Sequence, residues 1–457
     1  MIDLMNVSAY RENNRIEAKK ALGGLPKSIW ETYSAFANAL GGVILLGVEE
    51  NMKDHTLHPV DLPDPQRLVQ EFWTLLRSGK TVSVDILTEE SVRVVEVDGG
   101  DVIAIEVPRA RRSQRPVYIG GDPMMGTYRR NGEGDYRCSR EEVQEMLRDA
   151  ARQTPDMAVL MDLDIGALDA ESICAYRACL SETGDETTEA FLCRIGAAAE
   201  KDGALHPTVA GLLMFGRTET ICGAFPYFEL GYHGVAEEDA DGSVSVRFAA
   251  GENVFDFYTR VSGLLYDAYA EPVYPALREA LLNCLLNADY HGRGGVSVRC
   301  IEDAVEFSNP GQFRIDVAAA RSGGVSDPRN LAMTRMFEAI GAVRGAGRGL
   351  AGIMALWQER GWETPSIRET FDPARVTLRL SMKPAENAAV PELPATVARD
   401  LLRSAVIADV TEYVRVTAEE VAARLGTDAD TVQSCLQRLI REEILTEDEP
   451  GICRLKI

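Results

Sequence analysis

Between residues 26 and 40 the large apolar side chains fall at Ile29, Tyr33, Phe36 and Leu40, at spacings of four, three and four, which is one face of an amphipathic helix. Gly41-Gly42 ends it, and the apolar run VILLGV (residues 43–48) predicts a buried strand. SVRVVEV (91–97) and VIAIEV (102–107) flank Asp98-Gly99-Gly100 and predict a hairpin, with a further strand over TVSVDIL (81–87). SREEVQEMLRDA, from Ser139, predicts a capped helix whose early glutamates suit a helix N-terminus. Residues 1–155 therefore form an α+β domain.

Downstream the pattern repeats with other lengths. TVAGLLMFG (208–216) and FPYFELGYHG (225–234) predict strands. A long helix follows over PALREALLNCLLNADY (275–290), then strands VSVRCIE (296–302) and AVEFSNPG (304–311), and a glycine-rich helix start at 341–354. This makes 156–382 a second α+β unit. Pro384, Pro391 and Pro394 without apolar periodicity mark a linker over 383–397. In residues 398–457 two helices around Gly426 precede a two-stranded ribbon, with Val421, Leu425, Val432, Leu436, Leu439 and Ile440 as core, the pattern of a winged helix.

A length of 457 residues predicts about three domains. With 46% hydrophobic and 26% charged residues the composition is globular. The net charge of −23 argues against a chain coated in nucleic acid or anionic lipid, so any such site must be local. Nine cysteines without a C-x-x-C pair imply no disulfides and a cytoplasmic, reducing setting. Five scattered histidines offer no zinc motif, and no apolar run is long enough to span a membrane. Gly79-Lys80-Thr81 lacks the glycine five residues earlier, where Thr74 stands, so it is not a phosphate loop.

RENNRIEAKKALGGLPKSIWETYSAFANALGGVILLGVEEN, continued by PRARRSQRPVYIGG and GTYRRNG, resembles the Schlafen AlbA-type domain over about 150 residues. The resemblance implies binding of nucleic acid, DNA or RNA. Arg109, Arg111, Arg112, Arg115, Arg129 and Arg130, opposed within that stretch by Asp122 alone, are the candidate phosphate contacts. Relatives with RNase activity carry three acidic residues that hold a divalent metal. Here Glu12, Glu17 and either Glu49 or Glu50 stand in a similar arrangement, which makes a metal-dependent nuclease the rival reading; pairing of these glutamates with Lys19 or Lys20 is the structural alternative.

PVYPALREALLNCLLNADYHGRGGVSV, with AVEFSNPGQF and GAVRGAGRGLAGI, resembles the RecG-like C-terminal ATPase domain, related to the GHKL ATPases, whose fold is an α/β sandwich. Glu279 and Asn283, one helical turn apart, match the pair that positions a water and a Mg²⁺; Asn309 and Gly311 stand at the adenine loop, and Gly345, Gly347 and Gly349 at the phosphate lid. The resemblance implies an ATP and Mg²⁺ site, with Asn283 meeting the metal through the nucleotide. Asn287-Ala288-Asp289-Tyr290 departs from the relatives' N-A-x-x-H-R-D-Y, and the adenine position lacks its aspartate, which weakens the case for hydrolysis and leaves weak ATPase activity open. In the winged helix, Asp428, Asp430, Glu447, Asp448 and Glu449 favour a protein partner over DNA. The expectation is a DNA-binding, ATP-binding transcriptional regulator forming a homo-oligomer, at least a dimer, with a nuclease and a protein-interaction scaffold as alternatives.

Overall fold

The computed structural model describes residues 15–51, 53, 56–97, 100–132, 134–180, 185–234, 246–248, 253–315, 317–343 and 349–385, and in the C-terminal part 406, 410, 416–425, 429–441, 444–449 and 452–455. Glu12, Gly345, Gly347, Gly426, Asp428 and most of the expected linker lie outside them. The chain divides into two compact units, Met1–Lys383 and Pro384–Ile457.

The first unit opens with β1 (Ile16–Lys19), α1 (Ile29–Asn38) and β2 (Gly42–Leu46), followed by α2 (Pro65–Leu76), β3 (Val92–Val97) and β4 (Gly100–Val107). The strands form one sheet in the order β1-β2-β4-β3, with β1 parallel to β2 and the other pairs antiparallel. Both faces are covered: Ile44 and Leu46 pack with Tyr33 and Phe36 of α1, while Leu45 packs with Ile16, Leu57 and Val102. Burial on both sides is why β2 reads as an unbroken apolar run. Gly42 is required at the helix-to-strand corner, because a Cβ there would sit 2.8 Å from the Phe36 ring.

The apolar face of α1 is as expected, yet the opposite face is also buried. Its polar side chains hold the backbone beside a hairpin of β5 (Tyr128–Asn131) and β6 (Gly134–Arg137). Ser34 donates to the Val117 carbonyl (2.7 Å) and accepts from the Tyr128 N–H (3.0 Å). Asn38 donates to the carbonyls of Val117 (2.7 Å) and Tyr128 (3.1 Å) and accepts from the Val117 N–H (2.8 Å). The expected strand over 81–87 is instead an extended segment with a single bridge, Val82 to Ile119. The Tyr33 hydroxyl takes its place as partner, donating to the Val84 carbonyl and accepting from the Ile86 N–H. Ser139 caps α3 (Arg140–Ala150) in a reciprocal box with Glu142, as its sequence predicts.

Residues 208–216 are a helix, α4 (Val209–Phe215), not a strand. Thr208 caps it by accepting from the Gly211 N–H, and Gly211 lies against the Ala197 backbone. All seven residues of α4 are buried, so no polar period distinguished helix from strand. The expected 225–234 strand shrinks to β7 (Leu230–Gly234). With β8 (Val246–Phe248), β9 (Val296–Ile301), β10 (Ala304–Pro310), β11 (Ser366–Phe371) and β12 (Ala374–Ser381) it forms a six-stranded sheet in the order β8-β7-β9-β10-β12-β11. Only β7 and β9 among these pair in parallel. Against it pack α5 (Val254–Ala268), α6 (Val273–Asn287), α7 (Leu331–Ala339) and α8 (Gly349–Glu359) around a core that includes Leu281, Leu285, Val298, Phe307, Phe337 and Trp357. The Trp357 indole N–H donates to the Ser381 carbonyl at 2.6 Å, fixing α8 to the end of β12.

The second unit contains α9 (Ala418–Leu425), α10 (Ala429–Arg441) and the antiparallel ribbon β13 (Leu445–Glu449) with β14 (Ile452–Leu455). Val421, Val432, Leu436 and Leu439 join Val406, Val410, Val416, Leu445 and Cys453 in its core, with Ile440 half-buried beside them. Mixed α+β structure in small sheets thus runs through both units.

Replacing Asn38 with Ala strands the buried Tyr128 carbonyl and the Val117 N–H at once, while the Val117 carbonyl keeps the Ser34 hydroxyl. The first unit should lose about 2–4 kcal/mol, at roughly 1–3 kcal/mol per stranded buried group with partial relaxation, read from urea unfolding followed by Trp30 fluorescence. A loss below 1 kcal/mol would show that water replaces the amide.

Candidate functional site

Helix α6 presents two faces. Leu281 and Leu285 enter the core, while Glu279, Asn283 and Asn287, each one turn from the next, line a cavity of about 180 Å³. The Asn283 amide donates to the Glu279 carboxylate (3.4 Å), and the Asn287 amide donates to the Asn283 carbonyl (2.8 Å). The Asn283 amide oxygen makes no hydrogen bond among the described residues. Phe307, Val376 and Leu378 from the sheet supply an apolar wall, the segment from Gln312 to Ile315 and Asp327-Pro328 close another side, and Gly349 and Leu350 stand at the mouth of α8. Burial pushes the Glu279 carboxyl above its ordinary range, partly offset by the Asn283 amide. A side chain at Gly349 would overlap the Glu279 carboxylate, so this carboxylate lies directly against the first turn of α8.

Other expected nucleotide contacts fall differently. Asn309 is buried and lines the cavity, but Asn309 and Pro310 belong to β10 and pair with Val376 and Arg375, so this is a strand end and no adenine loop. Gly311 does not line the cavity. Its φ of +97° and the Arg329 guanidinium, 2.8 Å from where a Cβ would be, give it a packing role.

The expected arginine patch is largely an internal seam. Arg109 makes a two-pronged bond to Glu369 (2.6 and 2.8 Å) and donates to the Phe313 carbonyl (2.9 Å). Arg112 bonds Asp327 and the carbonyls of Asp149 (2.7 Å) and Ala151 (3.0 Å). Arg115, only 5% exposed, donates to Gln312 (3.0 Å). Burial, then the neighbouring Arg109 charge, brings its guanidinium down to about 9. Arg129 pairs with Glu142 (2.9 Å) over the Phe371 ring, and Arg130 with Glu17 (2.8 Å) and Asp135 (3.0 Å). Arg111 alone of the six is exposed. The local count of positive charge misled because the compensating carboxylates come from positions as distant as Asp327 and Glu369.

Four residues that sequence reasoning passed over organise this seam. Arg329, buried, pairs with Asp149 and donates to the carbonyls of Asn287 (3.1 Å) and Gln312 (2.9 Å). Against the cost of burial, Asp149 and Asp289 push its pKa up. Glu145 is pushed up by burial, and its Oε1 has no hydrogen-bond partner among the described residues; the same holds for Arg115 Nε and for Arg129 Nε and Nη2. No short motif marks Asp149, Arg329, Glu145 or Glu369; only long-range pairing identifies them.

Of the carboxylates proposed for metal-dependent cleavage, Glu12 lies outside the described residues. Glu17 is held by Arg130 and by Lys19 (2.8 Å), Glu49 by Lys20, and Glu50 ends the short strand Val48–Glu50. Among the described residues no group of three or more His, Cys, Asp or Glu could hold a metal ion, and no helix is long and apolar enough to cross a membrane.

Residues 12–139 match the family described as "Schlafen, AlbA_2", and residues 294–378 the family described as "Putative ATP-dependent DNA helicase recG C-terminal". Residues 144–231, between them, match a domain of unknown function. No curated protein matches the chain. Among solved structures it is similar to the crystal structure of the DIP2311 protein from Corynebacterium diphtheriae, at 19% identity over 99% of this chain and 82% of that one, with a TM-score of 0.39. It is also similar to the solution structure of the N-terminal domain of a "Putative ATP-dependent DNA Helicase RecG-related Protein" from Nitrosomonas europaea, at 33% identity over 30% of this chain and 94% of that one, with a TM-score of 0.24.

The seam has a pH signature. With its folded pKa above the unfolded 4.5, neutral Glu145 contributes stability that is fully present below pH 4.5 and lost as the pH rises through the folded value. Glu145→Gln keeps the neutral shape, so the variant should match the wild type at acid pH and become the more stable chain towards neutrality. Denaturant midpoints across that range test it; a difference independent of pH would show that Glu145 stays ionised in the seam.

Proposed function

We propose, from the premise that this chain is a Schlafen AlbA-like protein with a RecG-like ATPase region, that it is a nucleic-acid-binding regulator whose α6 cavity takes ATP with Mg²⁺. The observation that carries this reading is the meeting of Glu279, Asn283 and the first turn of α8 at one part of an otherwise largely apolar cavity. Apolar walls suit a flat base. The N–H groups opening α8 suit phosphate. The donor set fits a nucleotide-borne magnesium: the Asn283 amide oxygen makes no hydrogen bond among the described residues, and the Glu279 carboxylate stands one turn away. A magnesium ion there supplies charge neutralisation to the phosphate chain. Glu279, with its raised pKa, would hold a water or a proton at its carboxylate, and Asn283 would orient it through the amide N–H.

Nucleotide binding, more than turnover, is the role this site supports, since the adenine position carries Asn309 in a strand ladder and no aspartate. The sheet with helices packed on it supports a GHKL-like sandwich, and transcription is the process in which a nucleotide-responsive nucleic-acid binder of this build would act. The second unit, with two helices and a ribbon bearing Glu447, Asp448 and Glu449, supports a winged helix used for assembly into a homo-oligomer. Nothing in the placement of Glu17 or Glu49 favours the nuclease reading.

Calorimetry of the full chain with a non-hydrolysable ATP analogue and Mg²⁺ should show binding, weakened about 10–100-fold by Asn283→Ala, as for loss of a metal-site partner. No heat at millimolar ligand would retire the cavity reading. Deleting residues 384–457 should lower the number of chains per particle, read from light scattering against the mass of the shortened chain; an unchanged number would place assembly in the first unit.

A further inference from the structure

Three arginines of the 109–115 segment end on the wall of the nucleotide cavity. Glu369 receives both prongs of Arg109 and also accepts from the Phe313 N–H (3.0 Å), and Phe313 lines the cavity. Asp327, itself a lining residue, is shared by Arg112 and Arg314, and Gln312, another, receives Arg115. We propose that Glu369 and Asp327 mask a phosphodiester-binding site: they occupy Arg109 and Arg112 in place of backbone phosphates, with Arg115 held beside them by Gln312, and nucleic acid binds by displacing them. The link from this mask to nucleotide rests on the cavity reading above; the mask itself does not.

Four observations converge on it. The two-pronged carboxylate on Arg109 is the geometry an arginine offers to a phosphate. Glu369 lies on β11, the edge of its sheet, where a shift breaks hydrogen bonds on one side alone. A second cavity, of about 340 Å³, opens beside that pair, lined by Leu40, Arg130, Asn131, Glu369, Phe371 and Asp372, and gives an anion a way in. Finally, the closed seam is incompletely paired: Arg115 Nε and Arg129 Nε and Nη2 are buried donors without partners among the described residues. Stranded donors raise the energy of the closed state, and phosphate oxygens would satisfy them. Exposed Arg111, one residue from Arg112, supplies a first contact.

The test is a titration of the full chain with a labelled DNA duplex and a labelled single-stranded RNA, without nucleotide, at several salt concentrations. Glu369→Gln with Asp327→Asn keeps the shape and one acceptor oxygen on each side chain, enough for the Phe313 N–H, turns the other oxygen into an NH2 donor, and removes both charges. The double variant should bind about tenfold more tightly, with a plot of log affinity against log salt steeper by about one for each arginine released. The arm that responds identifies DNA or RNA as the ligand. A folded variant with unchanged affinity and slope overturns the proposal, as does binding by neither chain to either probe. Should the variant not fold, hydrogen exchange on the wild type decides: saturating nucleic acid should speed exchange at residues 312–315 and 366–371, and unchanged rates overturn the proposal. Adding the ATP analogue separates the two readings. An analogue that gives no heat sinks the cavity reading and leaves the mask to the nucleotide-free result. One that binds but leaves nucleic-acid affinity unchanged sinks the link between them.

Discussion

A guanidinium removed from water must be surrounded by acceptors, and much of the first unit is arranged around that requirement at Arg329. Its acceptors are the Asp149 carboxylate at the end of α3, the Asn287 carbonyl at the end of α6 and the Gln312 carbonyl on the cavity wall. One side chain therefore joins the segment that follows the N-terminal sheet to two sides of the cavity. Gly311 has to be a glycine because Arg329 passes over it. A buried pair of this kind is weak evidence for added stability, since desolvation offsets the attraction, but breaking it by removing one partner would cost about 3–5 kcal/mol. Its effect is to fix one arrangement of the parts.

The polar face of α1 works on the same rule at the other end of the unit. Ser34 and Asn38 are buried beside backbone groups that no strand pairs, so each hydroxyl or amide replaces a ladder bond. This places β5 and β6, and with them Arg129 and Arg130, against the helix. Arg130 then closes on Glu17 and Asp135, and Arg129 on Glu142 at the start of α3. Glu17, one of the glutamates expected to gather a metal, is thus part of the framework that sets Arg130.

How much of this was legible depends on whether the signal was local. Helix α1, the β2 run, the β3–β4 hairpin, the Ser139 cap and helix α6 each carry their period or cap within a dozen residues, and each is present. Elements buried on every side carried no period: α4 reads as a strand until the Thr208 cap and the close approach of Gly211 to Ala197 are seen. The 81–87 segment alternates like a strand, yet beyond its one bridge at Val82 the partner of its backbone at Val84 and Ile86 is a tyrosine hydroxyl. At the site, Glu279 and Asn283 were readable because helical spacing alone puts them on one face. The arginine seam was not, because a charge count over 22 residues cannot see a carboxylate 260 positions away, as in Arg109–Glu369.

That seam also bears on how a chain of net charge −23 could hold nucleic acid. A permanently exposed basic patch would attract polyanions at any ionic strength that leaves it unscreened, whatever the state of the cavity. Arginines paired to the protein's own carboxylates have no such standing attraction; the free energy of their release must be exceeded before phosphate is held. Phe313, Gln312 and Asp327 belong both to the pairing and to the cavity wall, so on the proposed reading a ligand that moved the wall would change that threshold, and nucleic acid that drew the arginines away would in turn alter the wall. Such a coupling would be reciprocal by linkage, and the shared residues would carry it without a separate pathway.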